Sequence, residues 1–259
     1  MKQSVIAASL LLLSGTVAAN ECDVSMNGQV SLMNNVLTVT TEDNDIIKID
    51  AGEKLFVNGQ RMDVDKNQER WVSEYYNGIY NAVPEAADLA LEGVAIANVA
   101  VSEVLGNLLG TDSSAVEKIQ SKLDDVKQKI EYNFYADDGS IQLDSTNFSD
   151  GDFLGAQWEQ DFEDTVEEVV TASIGHLMIA LGTELIFGDG DTDDFSQRMD
   201  NFGQDIEQKI EARAGNLEQK ADAFCMSLAK IDIVENNLQN SMQALSGLNL
   251  ITVDSDRRM

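Results

Sequence analysis

One proline, one histidine and two cysteines stand among 259 residues, aromatic residues make up 6%, and 17 lysines and arginines face 46 aspartates and glutamates. Each scarcity excludes something. A single histidine rules out a zinc site built on two imidazoles and allows at most one histidine-based triad. The shortage of cations gives a formal net charge of −29, which repels phosphate backbones and anionic lipid surfaces and argues against nucleic-acid binding. With so few aromatic rings, scattered along the chain, no stacking platform for a sugar is outlined. A lone proline leaves long elements uninterrupted. Yet 43% of residues are hydrophobic, the share of an ordinary folded protein, so the acidity does not signal disorder.

The first residues carry an address. Lys2 precedes the short apolar run Val5 to Leu13, and small residues close at Val17-Ala18-Ala19. This pattern predicts a secretory signal peptide over residues 1–19, cut after Ala19, because the run falls short of the ~20 residues a bilayer-spanning helix needs. Asn20-Glu21 before Cys22 argues against lipid attachment there. Cys22 and Cys225 both survive the cut, and in an oxidising compartment two cysteines imply one bridge. Closing so long a loop has a theoretical worth of roughly 4 to 5 kcal/mol.

Residues 20–64 read as an antiparallel β region. Asn58-Gly59 between Leu55-Phe56-Val57 and Gln60 to Val64 accepts the positive φ of a type I′ turn. Asn34-Asn35 reads as a second turn and Glu42 to Asp45 as a third, giving a meander of about five strands. From residue 65 to 259 the period is helical. Asp65 is expected to cap a first helix that Val83-Pro84 interrupts or kinks. Ala86 to Leu109 is dense in small apolar residues. Ser114 opens a helix whose Val116, Ile119, Leu123, Val126 and Ile130 form one apolar seam. Tyr135 to Phe153 reads as a polar loop, residues 154–187 as another helix, and residues 193–248 as a very long helical stretch. Within that stretch Leu217, Ala221, Phe224, Leu228, Ile231, Leu238, Met242 and Leu245 fit a heptad, with Glu235 as the polar intruder. The expected fold class is α+β: a small N-terminal meander followed by a larger, mainly helical body with long coiled-coil-like helices.

Arg198-Met199-Asp200-Asn201-Phe202-Gly203-Gln204-Asp205-Ile206-Glu207, then Glu211-Ala212-Arg213-Ala214 and Ala223-Phe224-Cys225, resembles the YggN-like family of exported proteins of Gram-negative bacteria. The order of signal peptide, early Cys22, hairpin at Leu55 to Gly59, Val83-Pro84 break and helix from Ser114 to Ile130 is similar as well. The resemblance implies a periplasmic location and paired cysteines, Cys22 with Cys225. The family is a domain of unknown function and brings no catalytic or ligand residues.

His176, with Ser173 three residues earlier, could share a helix face with a nucleophile, but no Gly-x-Ser-x-Gly turn surrounds any serine and a core histidine is the expectation. Asp189, Asp191, Asp193 and Asp200 echo a calcium loop, but Asp194 occupies the position that needs glycine. Paired carboxylates carry no information among 46 acids. Glu92, Glu103, His176 and Glu184 would be costly in a bilayer, so the apolar stretches are expected to form a buried core and not a membrane insertion. No catalytic residue, cofactor or metal ligand is assigned. The expectation is a non-enzymatic periplasmic scaffold or chaperone-like protein whose amphipathic helices hold another protein of the cell envelope. Alternatives are a carboxylate-based hydrolase or carbohydrate-binding protein, and a calcium-dependent adhesion or sensing protein.

Overall fold

A computed structural model describes residues 23–109, 114–148, 158, 160–167, 169, 171 and 192–254. The layout is α+β. Strands β1 (Asp23–Met26), β2 (Gln29–Met33), β3 (Val36–Thr40), β4 (Ile46–Asp50), β5 (Lys54–Val57) and β6 (Gln60–Arg61) precede helices α1 (Lys66–Leu109) and α2 (Ser114–Phe134). Strand β7 (Leu143–Asp144), helix α3 (Thr192–Ser241) and strand β8 (Ile251–Asp254) follow.

Strict alternation builds the main sheet. Its strand order is β6-β5-β4-β3-β2-β7, with neighbours antiparallel. Register aligns the buried residues into two rows that cross four strands: Val30, Val39, Ile47 and Val57 in one, Leu32, Leu37, Ile49 and Leu55 in the other. A slip of one residue would turn either row to solvent, so burial of this face enforces the register. Asn34 and Asn35 (φ 51° and 61°) and Asn58 and Gly59 (φ 50° and 79°) make the two tight turns at the predicted places.

Two strands depart from the expected meander. β1 leaves it and pairs with β8 in a separate two-stranded sheet, Asp23 opposite Asp254 and Met26 opposite Ile251. β7 arises inside the expected polar loop of residues 135–153 and joins β2, where the buried Ser145 hydroxyl accepts the Val30 N–H at 2.8 Å. Two-residue pairing leaves almost no alternation to detect, which is why the composition of that segment reads as loop.

Asp65 caps α1 as expected: its Oδ1 accepts the N–H groups of Asn67 (2.8 Å) and Gln68 (3.0 Å), and the Gln68 side chain accepts the Asp65 N–H. This is a reciprocal capping box. Pro84 does not interrupt the helix, which runs on to Leu109. The missing N–H costs one intrahelical bond, and the neighbouring Ala82, Val83 and Ala87 are buried, so packing holds the turn together. α3 likewise passes through Gly203 and Gly215 unbroken.

α1 and α3 run antiparallel and pack over much of their lengths. Gln68 donates to the Ser241 carbonyl at one end of the contact, Lys220 pairs with Glu92 further along, and Lys209 meets Glu103 at 3.0 Å. At about 1.5 Å per residue the contact from Gln68 to Glu103 is roughly 50 Å long. The sheet's apolar face, Val72, Tyr75, Tyr76, Ile79 and Val83 of α1, and Ile231 and Leu238 of α3 form one core. The α2 seam is buried at Val116, Ile119 and Ile130, with Ile119 against Val169 and Val101.

Two glycines separate backbone need from tolerance. At Gly28 φ is +89° and a Cβ would lie 2.3 Å from the Thr40 carbonyl oxygen, whereas a Cβ on Gly93, inside α1, meets nothing within 4 Å. Gly28→Ala is expected to lose about 2 kcal/mol or more by urea denaturation, and Gly93→Ala to gain about 0.5 to 1 kcal/mol.

Candidate functional site

The chemistry-bearing residues converge where α1 and α3 pack against each other beside the β1–β8 pair. Tyr75 and Glu235 face each other in the core, both essentially sealed from solvent at 0% and 1% exposure. The Tyr75 hydroxyl lies 2.6 Å from Glu235 Oε2, and Glu235 Oε1 accepts the Ile251 N–H at 3.3 Å. One turn earlier, Asp232 Oδ2 accepts the Val253 N–H at 3.2 Å and its Oδ1 accepts the Asn236 amide at 2.8 Å. Carboxylates at i and i+3 of a helix share one face. Here they take the outward N–H groups of alternate residues of β8, the place a further strand would occupy, and so close an edge that would otherwise be open to pairing.

Burial pushes the Glu235 carboxyl up to about 7, against the opposing pull of bonds from Tyr75, Ile251 and Leu250. Asp232, of like charge, adds to the rise. Tyr75 is raised well above its ordinary value, by burial first and then by Glu235. A neutral acid near pH 7 suits proton transfer only if it can touch a substrate. Glu235 is shut inside the core, where no substrate could reach it in this state.

Along the same helix pair lies a cleft of about 480 Å³. Its floor is Gly78 and Ala82 of α1 with Ile231 and Val234 of α3; its walls carry Glu74, Asn77, Asn81 and Glu85 on one side and Ser227 and Lys230 on the other. Gly78 sets the depth, since a Cβ there would sit 2.7 Å from Ile231 Cγ1. Beyond Lys230, Met226 and Ile233 are exposed at 52% and 61%.

The heptad pattern located Ile231, Leu238 and Met242 in the core and singled out Glu235, but gave no sign of its partner Tyr75, 160 residues away. Ala221 is exposed. No spacing rule marks the cleft either, because its floor is defined by small residues. Among the described residues no cysteine is free, and Cys225 packs half-buried against the core. Cys22, Ser173, His176, Asp189 and Asp191 lie outside the described residues. Residues 192–200 belong to the first turns of α3. Among the described residues no helix is long and apolar enough to cross a membrane, and no group of three or more His, Cys, Asp or Glu could hold a metal ion.

Tyr75→Phe is expected to cost about 1 to 3 kcal/mol in chemical denaturation, since it withdraws a hydroxyl bonded to a buried carboxyl. A loss under about 0.5 kcal/mol would show that this contact contributes nothing.

Comparison with known proteins gives a match to a family model described as "Protein of unknown function (DUF2884)" over residues 22–251. No curated protein and no solved structure matches.

Proposed function

We propose, from the premise that the chain belongs to the DUF2884 family of proteins of unknown function, that it is a non-enzymatic, exported protein-interaction module whose docking surface is the cleft between α1 and α3. The cleft is the observation that carries this reading. It joins an apolar floor to a rim with two carboxylates, Glu74 and Glu85, roughly 16 Å apart along α1 at 1.5 Å per residue. Met226 and Ile233 extend the apolar area. A net charge of −29 steers cations toward the molecule and repels acidic chains. The partner that fits is a basic amphipathic segment of an envelope protein: bulky apolar side chains seated over Gly78 and Ala82, and Lys or Arg at its ends to reach the two glutamates. Lys230 sits in the wall as the one opposing charge.

Location in the periplasm, signal-peptide cleavage after Ala19, kinship with YggN-like proteins and a Cys22–Cys225 bridge belong to the same proposal. The run of β8 along α3 supports the bridge. Ile251 meets Glu235 and Val253 meets Asp232, so the β1–β8 pair advances toward lower numbers on α3. Asp23 lies at the leading end, directly after Cys22 in sequence, and the next inward turns of α3 present Leu228 and Cys225.

Two measurements test this. A helical peptide with two leucines flanked by lysines about eleven residues apart is expected to bind saturably, and to weaken at least tenfold against Val234→Asp or when its lysines become glutamates. Equal binding of the acidic peptide, or none of either, would refute the docking surface. Non-reducing intact-mass analysis of the secreted chain is expected to find residues 1–19 absent and the mass lower by two hydrogens than the reduced form. Two alkylatable thiols would refute the bridge.

A further inference from the structure

The contact between α3 and β8 carries more than edge protection. The strand pair β1–β8 is separate from the main sheet, and the polar bonds that fasten its outer edge to α3 come from Glu235 and Asp232. Glu235 is 1% exposed. The titratable groups facing it are Tyr75 from α1 and Asp232 on its own helix; β8 and the turn before it present only the N–H groups of Leu250 and Ile251. Among the described residues no cation stands with them. A carboxylate there is held by dipoles alone, beside a second negative charge and walled by Leu238, Leu248, Leu250 and Ile251. Buried charge without a counter-ion is tolerated poorly, and the cheapest relief is either a proton or water.

We infer that Glu235 is a proton-operated latch on the C-terminal strand. With a proton bound, the carboxyl is neutral and β8 stays seated along α3. When the proton leaves, water must reach the carboxylate, and the route that disturbs the least structure is release of β8 from α3 and from β1, whose start the proposed Cys22–Cys225 bridge keeps beside α3. The main sheet keeps its own core rows and does not take part. Release uncovers Leu250, Ile251 and Val253, which are buried in the seated state, and frees the N–H groups that α3 had capped. The consequence is a strand edge and an apolar strip offered in neutral to alkaline medium and withdrawn in acid.

The sign follows from proton linkage. Between 4.5, the ordinary value, and about 7 the seated state holds a proton that the released state has shed, so seating weakens as pH rises through that window. If the released state restores the ordinary value, the release constant grows on the order of fifty- to a hundredfold from pH 5 to pH 8.

Amide hydrogen exchange by mass spectrometry on the full chain tests this, with rates corrected for intrinsic pH dependence. Peptides covering 248–254 and 23–26 are expected to lose protection by about that factor between pH 5 and 8 in the wild type, while peptides from β3 and β4 stay level. In Glu235→Gln the 248–254 protection is expected to be independent of pH. Level protection in the wild type, or an equal loss in Glu235→Gln, would overturn the latch. If Glu235→Gln does not fold, carbon-detected NMR of the wild-type Glu235 carboxyl decides: a midpoint near 7 supports the latch and one in the ordinary carboxylate range overturns it.

Discussion

The antiparallel packing of α1 against α3 is the constraint on which the rest of the molecule depends. The sheet has one apolar face and cannot bury it alone. That face is covered by Tyr75, Tyr76 and Ile79 of α1 together with Ile231 and Leu238 of α3, so the order of the β layer depends on two helices, whose contacting residues are more than a hundred positions apart, lying side by side. Lys209–Glu103 and Lys220–Glu92 cross the helix pair further out. They are exposed and add little energy. They do place two of the chain's few cations opposite acids, which limits self-repulsion in so negative a protein.

The same packing creates both features that invite function. Where side chains are large, as at Tyr75, the helices enclose a core. Where α1 offers Gly78 and Ala82, the surface between them sinks into a cleft. One face of α3 therefore has two jobs within one turn, with Ile231 and Val234 flooring the cleft and Glu235 turned inward to β8.

Much of the architecture was legible in the residues. Alternation located β2 to β5, Asn34-Asn35 and Asn58-Gly59 marked the turns through their tolerance of positive φ, Asp65 marked the start of α1, and the seam from Val116 to Ile130 marked the buried face of α2. What escaped has a common cause. β1 with β8, and β2 with β7, are pairings between residues far apart in the chain, β7 has two residues, and β8 (Ile251–Asp254) falls in the stretch 65–259 read as helical. As an interruption Pro84 misled, because its cost is local while the packing of Ala82, Val83 and Ala87 that outweighs it is tertiary. Glu235 was visible as an anomaly in an apolar heptad, but its meaning needed Tyr75 and the backbone of β8, which no local rule supplies.

The meeting of β1 and β8 also governs when this protein can finish folding. Asn27 bonds Leu250 through the backbone and Thr252 through its side chain, the latter a contact 225 residues apart. Contacts of such separation form late, because the loop they close must first be tamed. A chain still lacking residues 251–254 cannot pair β1, because its partner strand β8 is not yet present. Maturation is thus timed by synthesis of the last strand, and a chain lacking it would leave Leu238, Val24 and the inward carboxyl of Glu235 wetted.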